Sequence, residues 1–148
     1  MKSTIHLLMR APWERIFPLA AEIERWPQIL PHYRYVRRVP DPDGERRFAM
    51  GARRGAIPVT WEAVQRPLRE QRTIEFMHTG GVTKGMWVAW NLEPVEGGTE
   101  VSIEHRLDLA WPIIGDFVAR RIIGPLFIEA IAGRTLRRIR MLAEGLDR

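Results

Sequence analysis

The chain has 148 residues, no cysteine and a formal net charge of +5; Lys2 and Lys84 are its only lysines, so nearly all the positive charge is arginine. Such a length makes one domain, here residues 1–148, and the missing cysteines exclude disulfides, thiol catalysis and zinc–thiolate sites. No apolar run reaches the ~18 residues of a membrane-spanning helix, and the start, Met1 to His6, lacks the apolar core of a secretion signal, so the expected location is the cytoplasm.

Thr4 to Arg10 alternates as a strand, with Ile5, Leu7 and Met9 on one face and Thr4, His6 and Leu8 on the other. Ala11-Pro12 ends it. Pro12 suits a helix start, and Trp13, Ile16, Phe17, Ala20 and Ile23 recur at helical spacing, with Pro18 placing a kink or break inside the pattern. Trp26-Pro27 and Leu30-Pro31 interrupt the chain again and leave Gln28-Ile29-Leu30 room for one short turn of helix. From Tyr33 the period becomes two. Strands are expected over Tyr33 to Val39, Glu45 to Ala52, Pro58 to Gln65, Thr73 to His78 and Gly85 to Glu93, divided by turn residues such as Asp41-Pro42-Asp43-Gly44 and Gly80-Gly81. A seventh strand, Thr99 to Leu109, puts Val101, Ile103, His105, Leu107 and Leu109 on one face; Glu100, Ser102, Glu104, Arg106 and Asp108 take the other. One face of the sheet is then covered and the other wet.

The last third, Trp111 to Arg148, carries the longest helical signal. Ile128, Ile131, Ala132, Leu136, Ile139, Leu142 and Ala143 form an apolar stripe, opposite Arg134, Arg137, Arg140, Glu144 and Arg148. Arg140 and Glu144 are i,i+4 neighbours in the less favourable order for an ion pair. Pro125 lacks an amide proton and Gly124 weakens a helix, so a break is expected there. The prediction is a first helix over about Pro112 to Ile123 and a long second one from Pro125 to about Glu144, ended by Gly145. The first segment then closes one end of the domain, either as a mobile gate or as a rigid kink.

This order predicts an α+β fold: a curved seven-stranded antiparallel sheet around a long C-terminal helix, with two short helices after the first strand. Where the curvature is greatest, sheet and helix leave a gap suited to a ligand.

The runs Ala11-Pro12-Trp13-Glu14-Arg15-Ile16-Phe17 and Trp26-Pro27-Gln28-Ile29-Leu30-Pro31-His32-Tyr33 resemble the N-terminal signature of the START-like, or SRPBCC, superfamily. Gly85-Met86-Trp87, Gly98-Thr99-Glu100-Val101, His105 and Gly124-Pro125-Leu126-Phe127-Ile128-Glu129 are similar to its polyketide cyclase/dehydrase branch. The resemblance covers nearly the whole chain. It implies a helix-grip fold with a hydrophobic cavity, in proteins that bind lipids, sterols, polyketides, quinones or plant hormones. Some of them cyclise or dehydrate polyketides. It implies a pocket, not a particular reaction.

His105 is the most informative polar residue. Alternation points it to the covered face between Ile103 and Leu107, and a tight turn near Glu96-Gly97 sets Val88 opposite His105 and Trp90 opposite Ile103. A covered histidine is either a satisfied core residue or a group that orients a ligand oxygen. Its intrinsic pKa also suits acid–base work, so His105 and His78 are the candidates if the protein is an enzyme. Trp61, Phe76, His78, Val88, Trp90, Ile103, His105, Ile128 and Ile131 are the expected ligand-binding set. His32 and Tyr33 fall in the loop expected at the entrance, and Trp87, out of phase with Trp90, falls on the outer face. No histidine spacing suggests a metal and no glycine-rich loop suggests a phosphate, so no cofactor is expected. Arg37-Arg38, Arg46-Arg47 and Arg53-Arg54 each send one arginine to the outer face. That face is either simply solvated or a contact for RNA, the ribosome or an acidic membrane. The functional expectations are a binder of a small hydrophobic molecule (polyketide, quinone or lipid), a cyclase or dehydratase, or a partner acting through the arginines.

Overall fold

The computed structural model describes residues 1–81, 83–107 and 118–145. Strand β1 (Lys2–Met9) leads into helix α1 (Trp13–Ala21), a 3₁₀ turn (Ile23–Arg25) and helix α2 (Trp26–Ile29). Six strands follow: β2 (Tyr33–Val39), β3 (Arg46–Arg54), β4 (Ile57–Leu68), β5 (Thr73–Gly81), β6 (Trp87–Val95) and β7 (Gly98–Arg106). The C-terminal helix runs from Ala119 to Ala143; Ala119–Ala132 is wound as a π-helix and Gly133–Ala143 as an α-helix. The expected strands are all present, most with ends moved by one to three residues, which is how far strand ends are ordinarily set by neighbours. Asp108, Leu109, Trp111, Pro112, Ile113 and Arg148 lie outside the described residues.

All neighbours in the sheet are antiparallel, in the order β1-β7-β6-β5-β4-β3-β2. Strand β1 therefore pairs with the last strand, while α1 and α2 carry the chain to the opposite edge. The sheet stays open and curls over the C-terminal helix. Two irregularities help it bend: the register shifts between Tyr33 and Tyr35 in β2 and between Glu62 and Ala63 in β4. Gly51 lets the Tyr35 ring lie flat on β3, because a Cβ there would overlap it.

Alternation places the core. In β1, Lys2, Thr4, His6 and Leu8 are exposed, whereas Met9 is buried and Ile5 and Leu7 are partly covered. In β7, Thr99, Val101, Ile103 and His105 are buried. The helix stripe meets them: Ile128, Ile131, Leu136, Ile139 and Ala143 are all buried. Pro18 lies within α1 and does not break it.

The expected break at Gly124-Pro125 is not there. The helix passes through both residues, and Gly133 N–H bonds to the carbonyl of Ile128, five residues back. Pro125 cannot donate and its ring crowds the preceding turn of an α-helix; the wider winding takes up that misfit without ending the helix. Consequently there are not two helices meeting at Gly124 but one helix with two windings. Its end is as expected, with Gly145 at φ +73°. The Arg140–Glu144 pair does not form; instead Glu144 Oε2 accepts from the Arg10 amide at 2.7 Å. Arg140 is also not fully solvated, since its Nε is buried.

Candidate functional site

Between sheet and helix lies a cavity of about 40 Å³. The pairing builds its floor. Phe76, Val88 and His105 sit side by side across β5, β6 and β7, and Trp90 pairs with Ile103. Those are the partners expected for Val88 and Trp90. Trp61 and His78 extend the same wall, and their rings stack nearly parallel, 6.1 Å apart. Met50 pairs with Trp61 on the next strand, the Tyr33 ring lies 5.9 Å from Trp61 and the Trp26 ring 6.3 Å from Trp90, and Phe127, Ala132 and Thr135 come down from the helix.

Of the residues proposed from the sequence for ligand binding, Trp61, Phe76, His78, Val88, Trp90, Ile103 and His105 line the cavity. Ile128 and Ile131 do not line it, although both are buried in the core. The reason is the winding: an α-helical period brings Ile128 and Ile131 to the cavity, whereas the π-helical turns present Phe127 and Ala132 instead. Sequence reasoning also missed Trp26, Tyr33, Met50 and Thr135. His32 and Tyr33 are not loose entrance residues; they are 2% and 7% exposed. The apolar aromatic run around Trp26 was the available signal for that wall.

The polar atoms fall into two groups. At one end Thr135 gives its hydroxyl proton to the Ile131 carbonyl at 2.8 Å, so it accepts from His32 Nε2 at 2.9 Å. That fixes Nε2 as the protonated nitrogen of His32 and leaves Nδ1 buried without a partner. Burial holds His32 at about 4, helped by Arg134 and Arg137, and pushes the Tyr33 phenol well above its usual range. At the other end His78 Nδ1 lies 2.6 Å from Thr83 Oγ1. Burial lowers His78 to about 3, with His105 adding to the effect, and lowers His105 to about 4. The backbone of Ile103 and Ser3 lies near His105 and opposes that shift, but neither ring nitrogen makes a well-formed hydrogen bond.

At neutral pH this is an apolar chamber holding uncharged hydrogen-bonding groups, and no arginine or lysine among the described residues lines it. No cluster of potential metal ligands occurs among the described residues, and no helix among them is long and apolar enough to cross a membrane. On the outer face Trp87 lies under the Arg106 guanidinium at 4.9 Å, as its phase implied. Two of the arginines on this face are ion-paired. Arg47 pairs with Asp41 at 2.7 Å and Glu62 at 3.0 Å, and Arg66 pairs with Glu45 at 2.8 Å. Backbone bonds from Glu45 and the Arg47 side chain hold Asp41 below the usual carboxylate range.

An open seven-stranded sheet gripping a helix around an internal chamber defines the class: the helix-grip fold. Within it, the family model for polyketide cyclase / dehydrase and lipid transport matches residues 9–125, and the chain belongs to that family. Solved structures agree on the fold. The Zhui aromatase/cyclase from Streptomyces sp. R1128 superposes with a TM-score of 0.78 at 14% identity, covering 97% of this chain and 93% of its own. A START superfamily protein from Mycobacterium smegmatis gives 0.71 at 16% identity, over 95% and 98%. The di-domain ARO/CYC BexL from the BE-7585A biosynthetic pathway gives 0.79 at 19% identity; 97% of this chain covers 50% of that one. A search of curated proteins finds no match.

Proposed function

We propose that the protein binds one small, largely apolar molecule, such as a polyketide, quinone or lipid, in the chamber between sheet and C-terminal helix. The observation that carries this reading is the chamber itself: indole, phenyl and aliphatic walls with a few inward polar atoms, the usual make-up of a small-molecule site. At about 40 Å³ it is too small for such a molecule, so uptake requires the helix side to yield. Titration with a neutral environment-sensitive dye such as Nile red tests the reading. Saturable one-to-one binding is expected, and native mass spectrometry of protein from its own host should weigh a co-purifying ligand. Absence of saturable binding would sink the proposal.

A second reading is a cyclase or dehydratase of polyketides. It is favoured by two histidines, His78 and His105, whose rings both line the chamber, where a bound ketone would lie. A polyketide surrogate turned over equally fast by wild type and a His105→Ala/His78→Ala double variant would remove both residues from the mechanism.

A further inference from the structure

Phe127 stands where a guest ring would. It meets three rings edge to face, with centroid distances of 5.0 Å to Trp61, 5.3 Å to His78 and 6.3 Å to His105, and interplanar angles of 86°, 83° and 80°. The space left over, about 40 Å³, takes two or three waters and no ring. Yet the polar atoms of this cage are not served by a phenyl group. Both ring nitrogens of His105 are buried without a well-formed hydrogen bond, with only the Ile103 and Ser3 backbone near them, and His78 has spent Nδ1 on Thr83, leaving Nε2 for something else. Buried nitrogens left unpaired are costly, and native structures seldom keep them without a reason. A hydroxyl on the ring that fills the cage would supply what Phe127 cannot.

We propose that Phe127 is a resident stand-in for the ligand, and that the guest displacing it is an uncharged flat ring bearing a hydroxyl, a phenol, hydrogen-bonded to His105 or His78. This rests on the ligand-binding reading above and names the chemistry at its centre. The flatness comes from the place itself: Phe127 is a planar ring standing nearly perpendicular to Trp61, His78 and His105. The absence of charge follows from the lining, which among the described residues carries no arginine or lysine; a carboxylate or phosphate would enter as an unpaired ion in a dry cavity.

The test is calorimetric titration of the Phe127→Ala variant with phenol, benzene and benzoate. Removing the ring opens a cavity of about ring size, so phenol is expected to bind one-to-one, at least about tenfold tighter than to wild type. The hydroxyl should favour phenol over benzene by about fivefold or more, and benzoate should bind more weakly than either. Phenol, but not benzene, should shift the ring ¹⁵N signals of His105 or His78. In the Phe127→Ala background, His105→Leu or His78→Leu should erase the preference for phenol. Benzene binding as tightly as phenol, benzoate binding best, or a preference that survives both histidine replacements would each overturn the proposal. Should Phe127→Ala not fold, Phe127→Leu must show the same order. Should neither fold, wild type titrated with 1-naphthol must shift the Phe127 ring signals, and saturable binding that leaves them unmoved would count against the stand-in role. A wild type that takes no dye sinks the broader reading and this one with it; a Phe127 variant blind to the hydroxyl sinks only this one.

Discussion

Ala119–Ala132 and Gly133–Ala143 belong to one helix, yet the rest of the protein holds them differently. The α-helical half is pinned by directional bonds: Thr135 to His32, Arg138 Nε to the Ile29 carbonyl at 3.1 Å, and the Ala143 carbonyl to Arg15 at 3.2 Å. Glu144, just beyond its end, caps the arrangement by holding the Arg10 amide. The π-helical half meets the sheet through apolar and aromatic surface, chiefly Ile123, Phe127, Ile128 and Ile131. Each intramolecular hydrogen bond adds about 0.5–1.5 kcal/mol net and fixes a geometry. Apolar contact stabilises as much but tolerates exchange of one filler for another. The pinned half is thus the scaffold, and the half that carries Phe127 is where a ligand can trade places with the protein.

The largest expected effect breaks this division by charging the chamber. His32, His78 and His105 are held at about 4, 3 and 4 in the folded protein, against an ordinary 6.5. Below about 6.5 the unfolded chain therefore binds protons that the folded one refuses. Stability is full above that pH and is lost as pH falls toward about 4, by up to about 1.4 kcal/mol per histidine per pH unit. Circular dichroism with urea at pH 7 and pH 5 checks this; equal stabilities would mean that the three rings are not held neutral.

Next in size is the scaffold itself. Ile139, fully buried in the pinned half, should cost about 2–5 kcal/mol on replacement by alanine, read as a lower denaturant midpoint with an unchanged slope. The dye affinity of the folded fraction should stay the same. A large loss of affinity at unchanged fold would dissolve the distinction between the halves.

A smaller effect of opposite sign is expected at His105. Replacing this buried, unpartnered imidazole by leucine removes an unsatisfied group, so His105→Leu should stabilise the protein by about 1–3 kcal/mol. A loss of stability instead would show that the imidazole has a partner in solution.

The most delicate measurement is hydrogen exchange. Amides of residues 118–123 should exchange faster than those of 135–142, and should slow when a ligand is bound. Equal protection in both, with or without ligand, would remove the idea that the π-helical half yields.

Much of the architecture was legible because alternation and helical spacing are local. The strict period of two from Thr99 to Arg106 put His105 inside, and the short turn at Glu96-Gly97 fixed its partner, Val88, in advance. A seven-stranded antiparallel sheet with one long helix follows from such patterns, since a strand or helix with one apolar face has few ways to bury it. The winding of the helix at Gly124-Pro125 was not legible. Locally Pro125 argues for a break, and only the packing of Ile123, Phe127, Ile128 and Ile131 against the sheet keeps the helix going in a wider form. That choice turned Phe127 rather than Ile128 and Ile131 toward the chamber. Likewise nothing near Thr135 in the chain announces His32, because their contact joins residues 103 apart in sequence. The sequence by itself determined which faces are buried, a matter of periodicity and the hydrophobic effect; the tertiary structure alone decided which of the buried residues meet around the cavity, because that depends on register, winding and contacts between distant segments.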